Sequence, residues 1–357
     1  MNVLGIETSC DETAAAVVVD GVEVKSNVVS SQIDKHAAFG GVVPELAARE
    51  HLNNISVVVE TALSESGLTI SDIDAVAATC RPGLVPALLV GLSYAKGLAA
   101  AGSLPLVGVN HFVGHIYSCF LQDPDLLTRE DLYPLVALVV SGGHTSIISI
   151  SAEGETEILG QTIDDAAGEA FDKAAKILDL GYPGGPVIDR LAKAGDPAAI
   201  DFPRSLTGGN GKPVSAENRF NFSFSGVKTA LLYAVRDKQL SDQEIKDVVA
   251  SYQAAIVDVL AAKTFAAAAA LNAGSVLVCG GVACNSALRT VVTYRAEKEK
   301  RRLVIAPAKY CTDNAVMIAG TGYHMYAAGM IEGLETPAKA RLGDTLGCLP
   351  FTPLAGV

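Results

Sequence analysis

His111 and His115, in Asn110-His111-Phe112-Val113-Gly114-His115, follow a short apolar run at 105–109 and stand four residues apart. On a helix that spacing stacks both imidazoles on one face, where one ion can bridge them. The chain has only six histidines, and no other pair is so placed. A third ligand must come from a distant segment. Asp313, in Tyr310-Cys311-Thr312-Asp313-Asn314-Ala315, introduces the last helix and reads either as its N-cap or as that ligand. Its place after the last strand of a second unit corresponds to that of His111 after the last strand of a first. In a two-lobed cleft those helix starts face each other, giving two histidines and one carboxylate with open coordination positions. Position 112 is Phe, so the HExxH form is lacking, and no glutamate beside the histidines can serve as a protease base.

Other segments suit an anionic or sugar-bearing ligand. Two strand turns, Thr8-Ser9-Cys10-Asp11-Glu12-Thr13 and Ser141-Gly142-Gly143-His144-Thr145, are small and polar, and such tips can aim backbone N–H groups at phosphate. Cys279-Gly280-Gly281-Val282-Ala283-Cys284-Asn285 joins a buried strand to a helix; it reads as an adenylate seat or as a tight turn with Asn285 as N-cap. Asp165, Glu169 and Asp172 fall on one helical face by their spacing. Tyr182-Pro183-Gly184-Gly185-Pro186 reads as a helix stop, and Asp172 and Asp189 flank it in a manner suited to ribose hydroxyls.

The elements that must position these residues come in two similar sets. Strands at 3–9, 14–20 and 22–30 precede a helix at 43–66, a strand at 74–79, a helix at 85–101 and a strand at 106–109. Strands at 135–140, 145–150 and 157–159 precede helices at 165–180 and 241–272, a strand at 276–279, a helix at 285–300, a strand at 303–306 and a last helix from 314. Three antiparallel strands followed by αβα elements, twice, imply a duplicated α/β protein with a cleft between lobes. The lobes are expected at 1–132 and 133–335. Residues 205–221 read as a surface loop, and a tail at 336–357 lacks periodicity and reads as loosely attached.

With 357 residues, 50% of them hydrophobic and 18% charged, the chain has ample core for two lobes. A net charge of −12 excludes a protein that grips nucleic acid by its overall field, so an RNA partner needs a local basic patch or a helper. The richest basic run, 289–302, is interrupted by two glutamates and reads as a solvated helix face. Seven scattered cysteines without CxxC spacing fit reduced cytosolic thiols. No secretory signal is read at the start, and the apolar stretches at 84–101 and 254–273 read as buried helices rather than membrane spans.

Taken together, Gly5-Ile6-Glu7-Thr8-Ser9-Cys10-Asp11-Glu12-Thr13, Gly40-Gly41-Val42-Val43-Pro44-Glu45, His111 with His115, Ser141-Gly142-Gly143-His144-Thr145, Phe222-Ser223-Phe224-Ser225-Gly226 and Cys311-Thr312-Asp313-Asn314 closely resemble the tRNA threonylcarbamoyladenosine transferase family. This is the TsaD family, once described as O-sialoglycoprotein endopeptidases. Arg81 departs from it, standing where the family usually has Gly, and the insert at 208–218 is longer than in many relatives.

The resemblance implies a duplicated actin-like ATPase fold of the sugar kinase and Hsp70 type. It also implies one divalent metal, Fe(2+) with Zn as the other choice, on His111, His115 and Asp313. Substrate contacts fall on Val139, Val140, Ser141, Gly142, Gly143, Asp172, Gly185, Asp189 and Asn285. The implied reaction passes threonylcarbamoyl from its adenylate to N6 of the adenosine 3′ of the anticodon in tRNAs reading ANN codons. Asp11 is the candidate base, and tRNA, a TsaB-type paralogue and a TsaE-type ATPase are the implied partners. A nucleotide-binding scaffold without chemistry is the alternative, and a metalloendopeptidase a third reading.

Overall fold

The structure, a computed structural model, describes residues 1–208, 214–341, 343 and 345–354; part of the 205–221 loop and of the tail thus lies outside the described residues. The chain begins with β1 (Asn2–Glu7), β2 (Glu12–Val19), β3 (Glu23–Ser31), α1 (Ile33–Ala37), α2 (Pro44–Ser66), β4 (Ala75–Arg81), α3 (Val85–Gly102), β5 (Leu106–Asn110) and α4 (His111–Ser118). It continues through β6 (Leu135–Val140), β7 (Thr145–Ile150), β8 (Thr156–Gln161), α5 (Ala167–Ile177), α6 (Gly184–Ala192), α7 (Ser225–Val235) and α8 (Asp242–Ala270). The last elements are β9 (Ser275–Cys279), α9 (Ser286–Glu299), β10 (Arg302–Ile305), α10 (Ala308–Cys311) and α11 (Ala315–Ala327).

Two five-stranded sheets share one topology. The first runs β3-β2-β1-β4-β5 and the second β8-β7-β6-β9-β10, so each strand has a counterpart in the other sheet. In the first, β1 is antiparallel to β2 and parallel to β4; in the second, β6 is antiparallel to β7 and parallel to β9. Strands β4, β5, β6 and β9 are buried almost throughout and read as continuous apolar runs, as parallel strands covered on both faces must. The duplication expected from the sequence is therefore present strand for strand.

Helix ends follow local chemistry. Pro44 opens α2, where its missing N–H is no loss, and Gly67 ends it at a φ of 72° that a side chain would resist. Ser241 and Glu244 form a reciprocal capping box on α8. By length and hydropathy α3 and α8 could each cross a bilayer. Instead α3 packs on β4 and α2, and α8 buries most of its residues against its own unit.

The chain divides into two compact units: Met1–Glu130, Ser151–Thr156 and Thr312–Val357 form one, Asp131–Ile150 and Glu157–Cys311 the other. The first boundary lies close to the expected 132/133, but the C-terminal part differs from expectation. Helix α11 packs on β1, β2, β4 and α4 of the first unit. The reason is steric and apolar: residues 315–319 are fully buried, and glycines let backbones meet, so that a Cβ at Gly5 would stand 2.4 Å from Ala315 O.

The tail is also attached, contrary to the loose segment expected. Lys339 N donates to Cys80 O, Leu349 N to Gly154 O and Leu354 N to Ala152 O. Phe351, 5% exposed, stacks edgewise on Tyr117 and on His324. Periodicity could not reveal this, because single anchors need no repeat.

His324 makes the tail's seat sensitive to acid. Burial pushes its imidazole from 6.5 down to about 4. Between those values the unfolded chain binds a proton that the folded chain does not, so stability is full above pH 6.5 and falls as pH drops toward 4. The expected loss is about 2–3 kcal/mol. Urea titrations at pH 7 and 4.5 should show it, and His324→Gln should shrink the difference; an unchanged difference in the variant would mean other groups carry it.

Candidate functional site

The two histidines lie on α4, which begins where β5 ends. Asn110 caps it by accepting from Phe112 N at 2.9 Å, which fixes the helix start and with it the direction of His111. His111 and His115 are 3% and 1% exposed, and their Nε2 atoms are 3.1 Å apart. Asp313 Oδ1 lies 3.4 Å from His111 Nε2 and 3.2 Å from His115 Nε2. The three residues expected to meet do meet. The reading that sets His111 and Asp313 on opposite lobes is corrected, since Asp313 travels with α11 and all three residues belong to the first unit.

These distances fit an ion. Ligands about 2.1 Å from a common centre stand roughly 3.0–3.4 Å apart for angles between a right angle and the tetrahedral value. Chemistry agrees with distance. Glu7 Oε2 is 3.1 Å from His111 Nδ1 and accepts from Thr79 Oγ1 at 2.5 Å, while Glu7 Oε1 accepts from Ser9 N. Glu7 is wholly buried; burial pushes its carboxyl up, but the charge and hydrogen bond of His111 hold it below its ordinary value. A carboxylate can only accept, so Nδ1 of His111 carries a proton, and Nε2 is the ring atom at which a cation would replace a proton.

The electrostatics favour a positive charge here. Burial pushes His111 down, yet the carboxylates of Asp313 and Glu7 outweigh it and raise the imidazole well above its usual range. Burial and the charge of His111 both keep His115 low. Asp313 is driven up by burial but pulled well below the carboxylate range by both histidines. Among the described residues, His115 Nδ1 is buried without a hydrogen-bond partner, so that ring is oriented by packing and, through Nε2, by Asp313 and His111.

Sequence reasoning missed Glu7, Ser9 and Thr79 as the layer behind His111. A signal existed: Glu7 closes an otherwise apolar strand, and a charged residue on a buried strand calls for a partner. It also missed Glu12. That carboxyl is raised well above its ordinary value by burial first, then by the charge of Asp11, to which it hydrogen-bonds. Asp11 itself sits at the β1–β2 turn, 8% exposed, with its carbonyl accepting from Gln32 N.

The second unit brings together the remaining expected residues. Val139 and Val140 end β6, and the turn beyond them hooks onto α5: Gly168 N donates to Ser141 O and Glu169 N to Gly142 O. Asp172, on α5, accepts from Gly184 N at 2.7 Å and so fixes the start of α6 beside Gly185. Asp189, on α6, accepts from Ser286 N and Oγ, next to Asn285, whose own side chain caps α9 and donates to Gln253. A Cβ built at Gly142, Gly143 or Gly185 meets nothing within 4 Å, so these backbones face open space.

Two expectations need correction. Asp165 precedes α5 and is held by Lys173 at 2.7 Å and Lys228 at 3.0 Å, so it shares no helical stripe with Glu169 and Asp172. The Gly184-Gly185 turn opens α6 and does not close a helix. The basic run at 289–302 keeps the solvated face expected of it at Lys298, Lys300 and Arg302, which are exposed, while Arg289 turns inward to Ala283 O and Ala306 O and Arg301 to Ala273 O. Arg81, the departure in sequence, pairs with Glu332.

Comparison with known proteins agrees with these features. The profile of tRNA N6-adenosine threonylcarbamoyltransferases matches residues 23–320. The enzyme so named from Thermosipho africanus (strain TCF52B) is 49% identical over 330 residues, covering 92% of this chain and 96% of its own. That from Geobacter sp. (strain M21) is 50% identical over 339 residues, covering 95% of each. Among solved structures, (R)-2-hydroxyglutaryl-CoA dehydratase component A of Acidaminococcus fermentans superimposes with a TM-score of 0.52 at 15% identity, over 92% of this chain and 99% of that one. HypF of T. kodakarensis does so with 0.57 at 14% identity, over 94% of this chain and 49% of that one. These structural likenesses speak to the actin-like fold; the sequence likenesses speak to kinship, and the chain belongs to the tRNA N6-adenosine threonylcarbamoyltransferase family.

Proposed function

We propose that the chain transfers threonylcarbamoyl from threonylcarbamoyl-adenylate to N6 of the adenosine 3′ of the anticodon in tRNAs reading ANN codons. N6 bonds to the carbamoyl carbon, the bond from that carbon to the adenylate oxygen breaks, AMP leaves, and N6 gives up one proton. N6 is a poor nucleophile because its lone pair is delocalised into the purine, so proton removal and orientation matter. Asp11 is assigned as the acceptor of that proton.

His111, His115 and Asp313 would hold a divalent ion, Fe(2+) by preference, with Glu7 fixing the tautomer of His111. When bound, such an ion supplies Lewis-acid polarisation and a grip on carboxylate or phosphate oxygen. In the second unit, Asp172 and Asp189 are assigned to ribose hydroxyls. Backbone at Val139, Val140, Ser141, Gly142, Gly143 and Gly185 is assigned to phosphate, and Asn285 to the adenylate. The single observation that carries a catalytic reading over a scaffold is the buried set of two Nε2 atoms and one carboxylate oxygen within 3.4 Å of one another. A scaffold has no use for it.

A net charge of −12, with the richest basic run interrupted by two glutamates, favours help in holding tRNA. A TsaB-type paralogue and a TsaE-type ATPase are the proposed partners, in the cytoplasm. The test is purified chain with threonylcarbamoyl-adenylate and unmodified tRNA, with and without those partners, followed by nucleoside chromatography. Threonylcarbamoyladenosine should appear. Its absence under every combination, with nucleotide still bound, would leave the scaffold reading.

A further inference from the structure

We propose that Cys284 and Cys311 form a dithiol pair that peroxide oxidises to a disulfide, a modification site at the start of α9. Cys284 is exposed and ends the 3-10 turn Gly281–Cys284; Cys311 is fully buried at the end of α10. The two thiols are close enough for one to perturb the other. Each also reaches the same short stretch of backbone, Cys311 Sγ donating to Ala306 O at 3.2 Å and Cys284 Sγ to Ala308 O at 3.7 Å. Arg289 ties the two segments together. Its Nε donates to Ala283 O at 2.7 Å, its Nη2 to Ala306 O at 2.8 Å, and Nη2 lies 3.5 Å from Cys311 Sγ.

An exposed thiol beside a buried one and a guanidinium is the arrangement of an attacking and a resolving cysteine. The neighbouring Cys311, with help from Arg289 and against burial, brings the Cys284 thiol down to about 6. That favours thiolate at neutral pH without the loss of nucleophilicity of a very acidic thiol. Cys10 contrasts with it: burial and the neighbouring Asp11 push its thiol well up.

The steps balance. Cys284 thiolate attacks one peroxide oxygen, the O–O bond breaks, hydroxide leaves, and a sulfenic acid remains. Cys311 sulfur then attacks Cys284 sulfur, the S–O bond breaks, and water leaves with the proton of Cys311. Two thiols are oxidised by two electrons while one peroxide becomes two waters; a dithiol reductant reverses it. The bond ties the residue before Asn285 to the residue two before Asp313. Its effect on transfer therefore rests on the function proposed above, whereas its formation does not.

Reduced full-length chain, desalted and given a few equivalents of hydrogen peroxide at pH 7, should yield on digestion without reductant a peptide pair joined through Cys284 and Cys311. Dithiothreitol should dissolve the pair, and Cys284→Ala should lack it. Recovery of Cys284 unmodified, or as sulfinic acid with Cys311 still free, would overturn the proposal. In the transfer assay the oxidised wild type should lose about tenfold or more and recover with dithiothreitol, as displacement of positioned groups costs. Equal loss in Cys284→Ala would sever the pair from the reaction.

Discussion

With Fe(2+) held as proposed, His111→Ala should empty the proposed metal set, lowering bound iron from near one equivalent to background and cutting threonylcarbamoyl transfer by about 10³ or more. The size follows from the several kcal/mol that a Lewis-acid ion contributes to a transition state. Asp313→Ala should act alike, because its Oδ1 faces both Nε2 atoms. The chain should stay folded in each case, since neither side chain contributes to the apolar clusters. Metal analysis after desalting, paired with the nucleoside assay, decides it. A variant that keeps its iron would remove the residue from the ligand set, and one that loses iron yet transfers at full rate would remove the ion from the reaction.

Glu7→Gln grades the same claim. The amide keeps the shape, but its single oxygen can accept from only one of Ser9 N and Thr79 Oγ1, and it no longer offers a negative charge to His111 Nδ1. Loss of such a supporting carboxylate costs about 10–100-fold in metal affinity. Iron should therefore be lost at lower chelator concentration than in the wild type while remaining bound without chelator. Identical chelator curves would make Glu7 a packing residue only.

Much of the arrangement was legible because local chemistry repeated itself. Apolar runs at 135–140 and 106–109 gave strands at nearly those bounds, and the helices read at 43–66 and from 241 start and end within a residue of α2 and of the start of α8. His111, His115 and Asp313 were singled out by residue type, and they converge. What was not legible depended on tertiary packing. The return of α11 to the first sheet turns on Gly5 and Gly322, whose missing side chains matter only once the partner helix is in place. Glu7 sits in a strand where periodicity says nothing of a hydrogen-bond partner 104 residues away. Asp165 shares helical spacing with Glu169 and Asp172, but α5 begins only at Ala167, after the N-cap Ala166, so Asp165 lies outside it.

Gly5→Ala carries the packing claim to its limit. The added Cβ would stand 2.4 Å from Ala315 O, 2.7 Å from Ala319 N and 2.8 Å from Ala319 Cβ. The first two are helix backbone and cannot rotate aside, so β1 and α11 must separate. The expected destabilisation is about 3 kcal/mol, the upper end of ordinary overpacking. Separation also moves Asp313, two residues before Ala315, away from the histidines on α4, so iron affinity should fall although no ligand was changed. Gly97→Ala is the contrast: it lies exposed in α3, a Cβ there meets nothing within 4 Å, and helix propensity predicts a gain of up to about 1 kcal/mol. Thermal melts and iron titrations of the two variants should diverge in opposite directions. If Gly5→Ala melted with the wild type and held iron equally well, the close seat of α11 on β1 would not be what positions Asp313.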